Sequence, residues 1–272
     1  MAVPFTMTTI VWASDLHLDH ASDAVRNEFA VALRDSRGDV VVASGDTSVS
    51  SRLVSDLQFV QTVAGRPLHF VLGNHDHYGA TVGKVRDAVI ELAARNPDVH
   101  WLPPEGVVQL DETAALVGVD GWADGRLGNA LTTPIRLNDD RLIGELAAQP
   151  TRSARLAVKR ALADADAARL ATLLDLAVLR ARRVVVVTHV PPFIEALPHS
   201  GRLATADWLP LLVSDAIGNL LRRTAGEHTA HHFLVLAGHT HAAADVMVLP
   251  NLRCRIAGAR YGEPAVESVS VS

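Results

Sequence analysis

Residues 9–17 read Thr-Ile-Val-Trp-Ala-Ser-Asp-Leu-His: a β-branched and apolar run, Thr9 to Ala13, that stops at Asp15 and His17. A run this short and continuous predicts a strand buried on both faces, as in the parallel sheet of an α/β domain. Four further runs end in the same way. Val40 to Ala43 precedes Asp46, and Phe70 to Leu72 precedes Gly73-Asn74-His75-Asp76. Val184 to Val187 precedes His189, and Phe233 to Ala237 precedes Gly238-His239-Thr240-His241. Packing gives no reason for metal-ligating residue types to close every run. Chemistry does, because such strand ends gather at one edge of a sheet.

Between the early runs lie helix candidates at 23–34, with Ser22 or Asp23 placed to cap it, at 49–64, ended by Gly65-Arg66-Pro67, and at 81–95, stopping before Asn96-Pro97. Strands alternating with helices of this length predict βαβ units and a largely parallel sheet. Residues 98–102, 106–110 and 114–119 read as short strands open to antiparallel pairing. The stretch 121–150 is irregular, 151–182 is strongly helical across one or two helices, and 207–224 is a further helix. A long loop covers 190–210, and three strands near 245–249, 254–257 and 265–271 read as an antiparallel finish. The candidate ligands run from Asp15 to His241, so a cut would split them. The expectation is one domain over 1–272, with 121–182 an insertion able to form a partial cap.

Bulk properties narrow the function classes. At 49% hydrophobic and 20% charged the composition is that of an ordinary globular protein, and a net charge of -5 argues against a nucleic-acid partner. The single cysteine, Cys254, excludes an intrachain disulfide framework and a multi-cysteine zinc site, and reads as a small buried hydrophobe. No apolar run approaches the roughly 20 residues that span a bilayer. With no positively charged leader at residues 1–9, the expectation is a soluble, cytoplasmic protein without membrane contact.

Asp15-Leu16-His17 is expected to be still extended at the strand end, with Asp15 and His17 on the same side and able to grip one cation. His239-Thr240-His241 has the same spacing but sits in a turn, where its histidines can diverge toward two cations. Asp46 offers two oxygens able to bridge neighbouring metals, Asn74 a neutral amide oxygen and His189 a further imidazole.

Asp15-x-His17, Gly45-Asp46, Gly73-Asn74-His75-Asp76, His189 and Gly238-His239-Thr240-His241, in this order, resemble the motifs of the calcineurin-like metallophosphoesterases. The resemblance spans about residues 9–245. It implies an α-β-β-α sandwich of two mixed sheets flanked by helices, with the site at the C-terminal ends of the strands. It implies two divalent ions, one held by Asp15, His17 and His241 and the other by Asn74, His189 and His239, with Asp46 bridging. His75 would face the substrate, oriented by Asp76. The reaction implied is hydrolysis of a small phosphomonoester or phosphodiester by metal-activated hydroxide, with His75 protonating the leaving group. Gly45-Asp46-Thr47-Ser48 lacks the further acidic residue that often follows this Asp in relatives. The donors are nitrogen and oxygen only, which suits Mn, Fe, Zn, Ni or Co rather than a pure Mg or Ca site.

Plainer readings stand beside these. Asp15 and Asp46 can cap helices, and Asn74 can favour a turn. His69 and His100 read as structural, His228, His231 and His232 as a solvated turn, and Trp122 as packing. His77, Tyr78, His20 and His199 are candidates for substrate contact. Arg152, Arg155, Lys159 and Arg160 read as a solvated face rather than the cationic groove a nuclease needs. A non-catalytic scaffold that keeps the fold is the alternative from another class, although such relatives typically lose ligands.

Overall fold

The computed structural model describes residues 8–198 and 205–271. The N-terminal half alternates β1 (Thr9–Ala13), α1 (Asp23–Asp35), β2 (Val40–Ser44), α2 (Ser50–Ala64), β3 (Leu68–Val71), α3 (Val82–Arg95) and β4 (Val99–Trp101). Ser22 and Thr81 cap α1 and α3 through their side chains, and Gly65 ends α2 with φ 61°, a left-handed turn that favours glycine. A single turn, α4 (Leu102–Glu105), leads into β5 (Val108–Gln109) and β6 (Ala114–Gly118). Two more single turns, α5 (Asp139–Leu142) and α6 (Gly144–Ala147), interrupt an otherwise irregular stretch before α7 (Arg152–Ala177). Then follow β7 (Arg183–Val187), α8 (Leu209–Leu212), α9 (Asp215–Glu227), β8 (His232–Ala237), β9 (Ala244–Leu249), β10 (Leu252–Ile256) and β11 (Val266–Ser270).

These strands make two mixed sheets, ordered β11-β1-β2-β3-β4 and β5-β6-β7-β8-β10-β9. Within them β1 to β4 are parallel, as are β6, β7, β8 and β10, while β5, β9 and β11 run antiparallel at the edges. Side chains alternate along β1: Ile10 and Trp12 join Val42, Val185, Val187 and Leu236 between the sheets. Val11 and Ala13 face the other way, packing with Phe29, Leu53, Leu57 and Val89 of α1 to α3. On the far side, Val184, Val186 and Val235 pack with Leu170, Leu174, Ile217 and Leu221 of α7 and α9. Both faces of each sheet are therefore covered, which is why its strands are apolar throughout. The architecture is an α-β-β-α sandwich.

Several sequence expectations change. The 151–182 region holds one 26-residue helix. The 207–224 helix is two, α8 and α9, and the Asp124 carboxylate accepts the Ala216 N–H at 2.9 Å at the start of α9. The closing strands are not one antiparallel unit, since β11 crosses back to pair with β1 in the first sheet. The four basic residues of α7 expected to be a solvated face are engaged within the protein instead. Arg152 donates to the Thr133 carbonyl, Arg155 to that of Gln149 at 2.7 Å, and Arg160 to those of Asp124 and Gly125. Lys159 is buried beside Asp139 and Asp140. A helical face read alone cannot reveal that an irregular segment lies across it.

Candidate metal centre

The five apolar runs end at one edge, and their terminal residues depart sharply from strand geometry. Asp15, His17, Asp46, His239 and His241 all have φ between 41° and 68°, the left-handed region in which Asp and His are among the better tolerated side chains. The expectation of an extended Asp15-Leu16-His17 is thus wrong: the strand stops at Ala13, and left-handed turns aim both side chains. Two glycines allow the carboxylates this close. A Cβ on Gly73 would collide with the Asp46 carboxylate, and one on Gly238 with the side chains of Ser14 and Asp15.

The structure brings Asp15, His17, Asp46, Asn74, His189, His239 and His241 together. His17 Nε2 lies 3.1 Å from His241 Nε2, which is 3.3 Å from Asp15 Oδ1. Asn74 Oδ1 lies 3.1 Å from His189 Nε2 and 2.9 Å from His239 Nδ1. Asp46 Oδ2 stands between the two groups, 3.8 Å from His17 Nε2 and 3.3 Å from His189 Nε2. The histidines of the Gly238 turn do diverge, one into each group.

Hydrogen bonding shows that these donors suit cations. The amide of Asn74 is oriented by its NH₂, which donates to Asp139 Oδ1 at 2.8 Å and Tyr78 Oη at 3.2 Å, leaving Oδ1 toward the histidines. His189 Nδ1 meets the Ser44 carbonyl at 2.9 Å, and His239 Nε2 meets that of Leu211 at 2.8 Å. Those carbonyls can keep a proton on the far nitrogen of each ring, so with an ion bound the near nitrogens would offer lone pairs beside the Asn74 oxygen. Three such atoms converging this closely accommodate a positive charge among them, whether a proton or an ion. His17 Nε2 and His241 Nε2 likewise converge beside Asp15, close enough to share a cation. Residues and ions fit.

The local electrostatics agree. Burial opposes a charged His189, yet Asp46, Asp15 and the Ser44 carbonyl outweigh it and lift the imidazole to about 10: a proton supplies the charge the pocket demands. Burial instead pushes His17 down to about 4, against the pull of Asp46. Asp46 is held well below the usual carboxylate range, where His189 and His75 overcome its burial.

His75 is partly exposed, its ring 4.2 Å from Tyr78 and 4.6 Å from His17. Its backbone N–H donates to Asp46 Oδ1 at 2.7 Å. His17, Asp46 and His75 can also bring donor atoms within 4.8 Å of one another, close enough for a cation. Asp76 has a different task from the one expected. Its buried carboxylate accepts backbone N–H groups from Gly73, Asp46 and Ser48 at 2.7–3.0 Å, fixing the loops that carry the ligands. Burial and Asp46 push it up to about 8, against those amides.

Sequence reasoning missed four supports. Asp139 holds Asn74 and accepts the Tyr78 hydroxyl at 2.7 Å; burial works against its charge, but Lys159 keeps it below the ordinary value. Asp120 accepts Leu72 N–H and Trp101 Nε1–H through its carboxylate and His189 N–H through its carbonyl, tying the two sheets together beside the site. Leu211 contributes only a carbonyl. Tyr261 lies over His17, His20 and His241 at centroid distances of 4.4–5.0 Å. Two candidates for substrate contact fall away: His77 is buried and stacked on Trp122, and the Tyr78 hydroxyl is turned to Asp139. His199 lies outside the described residues.

A two-sheet sandwich with a double cluster of nitrogen and oxygen donors along one edge is the framework of a metal-dependent phosphoesterase. The chain belongs to the calcineurin-like phosphoesterase family, whose model matches residues 8–243. Among solved structures, phosphopantetheinyl hydrolase (PptH) from Mycobacterium tuberculosis is similar at a TM-score of 0.66 and 15% identity, covering 94% of this chain and 90% of that one. TT1561 of Thermus thermophilus follows at 0.57 and 14%, covering 98% and 100%. A dimetal phosphatase from Danio rerio has 0.54 and 14%, covering 93% and 88%. At such identities the likeness is one of fold. No curated protein matches the sequence. Among the described residues no helix is long and apolar enough to cross a membrane.

Proposed function

We propose that the chain hydrolyses a small phosphomonoester or phosphodiester at a two-metal centre. Asp15, His17 and His241 would hold one divalent transition-metal ion, Mn, Fe, Zn, Ni or Co, and Asn74, His189 and His239 the other, with Asp46 shared. The observation that carries this reading is the Asn74 oxygen, faced by two ring nitrogens whose opposite nitrogens already meet carbonyls. When bound, such a pair of ions supplies an activated water and a clamp for phosphoryl oxygens. Against two divalent charges the ligand set contributes two carboxylates, Asp15 and Asp46, leaving the positive balance that an anionic ester needs. His75 would protonate the departing alkoxide, a role that its partial exposure beside His17 supports. The insertion around Asp139 serves as a partial cap whose nearest contribution is to hold Asn74 rather than to touch substrate. Internal engagement of Arg152, Arg155, Lys159 and Arg160 leaves no cationic groove on that face for nucleic acid.

The test is direct. Protein stripped and reloaded with Mn should carry two ions per chain and hydrolyse mono- or bis-aryl phosphates. Failure to cleave either with any of the five metals sinks the enzyme reading. A phosphopantetheinyl ester, after the name of the Mycobacterium tuberculosis neighbour, belongs in the wider substrate panel.

A further inference from the structure

Tyr261 stands out as a large ring left half-open at the mouth of the centre. It lies in the 257–265 connection between β10 and β11 and is 51% exposed. One side of the ring is committed to the site: its centroid is 4.4 Å from His17, 5.0 Å from His241 and 6.1 Å from His75. His20, itself exposed, meets it edge-on at 4.9 Å and 61°. The connection is anchored to the ligand turn, since Ala259 N–H donates to the His241 carbonyl at 3.2 Å. The placement of Tyr261 thus follows from the turn that carries His239 and His241.

Charge is not what this lip offers. The nearby Arg260 and Glu263 are exposed and paired with each other at 3.8 Å. What it presents is a half-exposed aromatic ring 6.1 Å from the His75 ring, on the side from which the leaving group departs in the proposed reaction. Aromatic faces hold planar groups by offset or edge-to-face contact in preference to saturated ones of equal size.

We infer that Tyr261, steadied by His20, forms an aromatic lip that stacks on the group esterified to the phosphate, so that the centre favours esters carrying a planar ring on or next to the leaving oxygen. This rests on the phosphoesterase reading and adds a substrate class to it. Tyr261 acts here as a specificity residue; the bond-breaking groups are unchanged.

Benzyl phosphate and cyclohexylmethyl phosphate test the inference, because both leave as primary alkoxides of similar size and only one is planar. The wild-type metal-loaded enzyme should show the higher kcat/KM on the benzyl ester. The benzyl to cyclohexylmethyl ratio should fall by between about threefold and tenfold in Tyr261→Ala and in Tyr261→Leu, which keeps apolar bulk. Tyr261→Phe should retain the wild-type ratio. An unchanged ratio in folded, metal-replete Ala and Leu variants overturns the lip and leaves the phosphoesterase reading standing. Wild-type protein that cleaves neither these esters nor aryl phosphates overturns both.

Discussion

The two halves of the centre are built differently. Around Asn74, His189 and His239, every outward-facing atom is tied to protein: Asn74 to Asp139 and Tyr78, His189 to the Ser44 carbonyl, His239 to that of Leu211. Around Asp15, His17 and His241 the ties are fewer. Asp15 accepts from Ser14 Oγ at 2.5 Å and His239 N–H at 2.9 Å, but buried His17 Nδ1 has no hydrogen-bond partner among the described residues. Ring packing under half-exposed Tyr261 takes the place of hydrogen bonds there. Outer partners of this kind fix tautomers and raise ligand basicity. The difference teaches that the Asn74 half is braced by protein alone, while the His17 half would, on the two-ion proposal, be organised largely by its ion. The first ion should therefore bind more tightly and leave more slowly under a chelator.

The change expected to do most damage erases the comparison. Asp46→Ala removes the residue between the halves, so both ions should be lost or severely weakened, as elemental analysis after gel filtration would show. Retention of two ions would mean Asp46 bridges nothing. Next, His75→Ala should lower turnover by about 10²- to 10⁴-fold with both ions in place. If that variant loses an ion, His75 is a ligand, as its distance from His17 and Asp46 permits. Smaller and one-sided, Asp139→Ala should weaken one ion of the two by roughly 10- to 100-fold, measured by titration calorimetry. Equal weakening of both would erase the asymmetry.

The smallest effect concerns the ground beneath the braced half. Burial and the neighbouring Asp120 carboxylate lift Asp166 to about 7, against Arg86 and the Gly121 N–H. Asp166 then keeps a proton in the fold that the unfolded chain, with a pKa near 4, has already released. Between about pH 4 and 7 the native state binds more protons, so stability falls as pH rises, with a limiting slope of about 1.4 kcal/mol per pH unit. Asp166→Asn, neutral throughout, should gain a few degrees in Tm over wild type between pH 5 and pH 8 melts. An equal Tm difference at both values would rule out this titration.

What the sequence made legible was whatever lies next to a strand end. The apolar runs gave the parallel strands because both faces are buried, and the residues closing them gave the donors. Asp139, Asp120, Leu211 and Tyr261 were hidden for a different reason. Asp120 and Tyr261 reach the centre from connections, Asp139 and Leu211 from single helical turns too short to show a period, and Leu211 acts through a carbonyl that any residue type carries. Lys159 was misread outright. Its charge looked solvated on a helical pattern, whereas it is buried against Asp139 and so supports Asn74 at one remove.

The left-handed backbone at Asp15, His17, Asp46, His239 and His241 has a consequence for the life of the chain without its ions. Such conformations cost on the order of 1 kcal/mol or more apiece and persist only while their surroundings over-determine them. Ions bound as proposed would be part of those surroundings, and would bind the native form in preference to the unfolded one. Once they are withdrawn, like-charged and lone-pair groups face one another across the same few ångströms with the strain still present. Local opening should then begin at this edge before it reaches the buried strand interiors behind it. If the centre binds metal as proposed, protein stripped of metal should be cut by a protease first in these turns, a site that mass mapping of limited digests would locate.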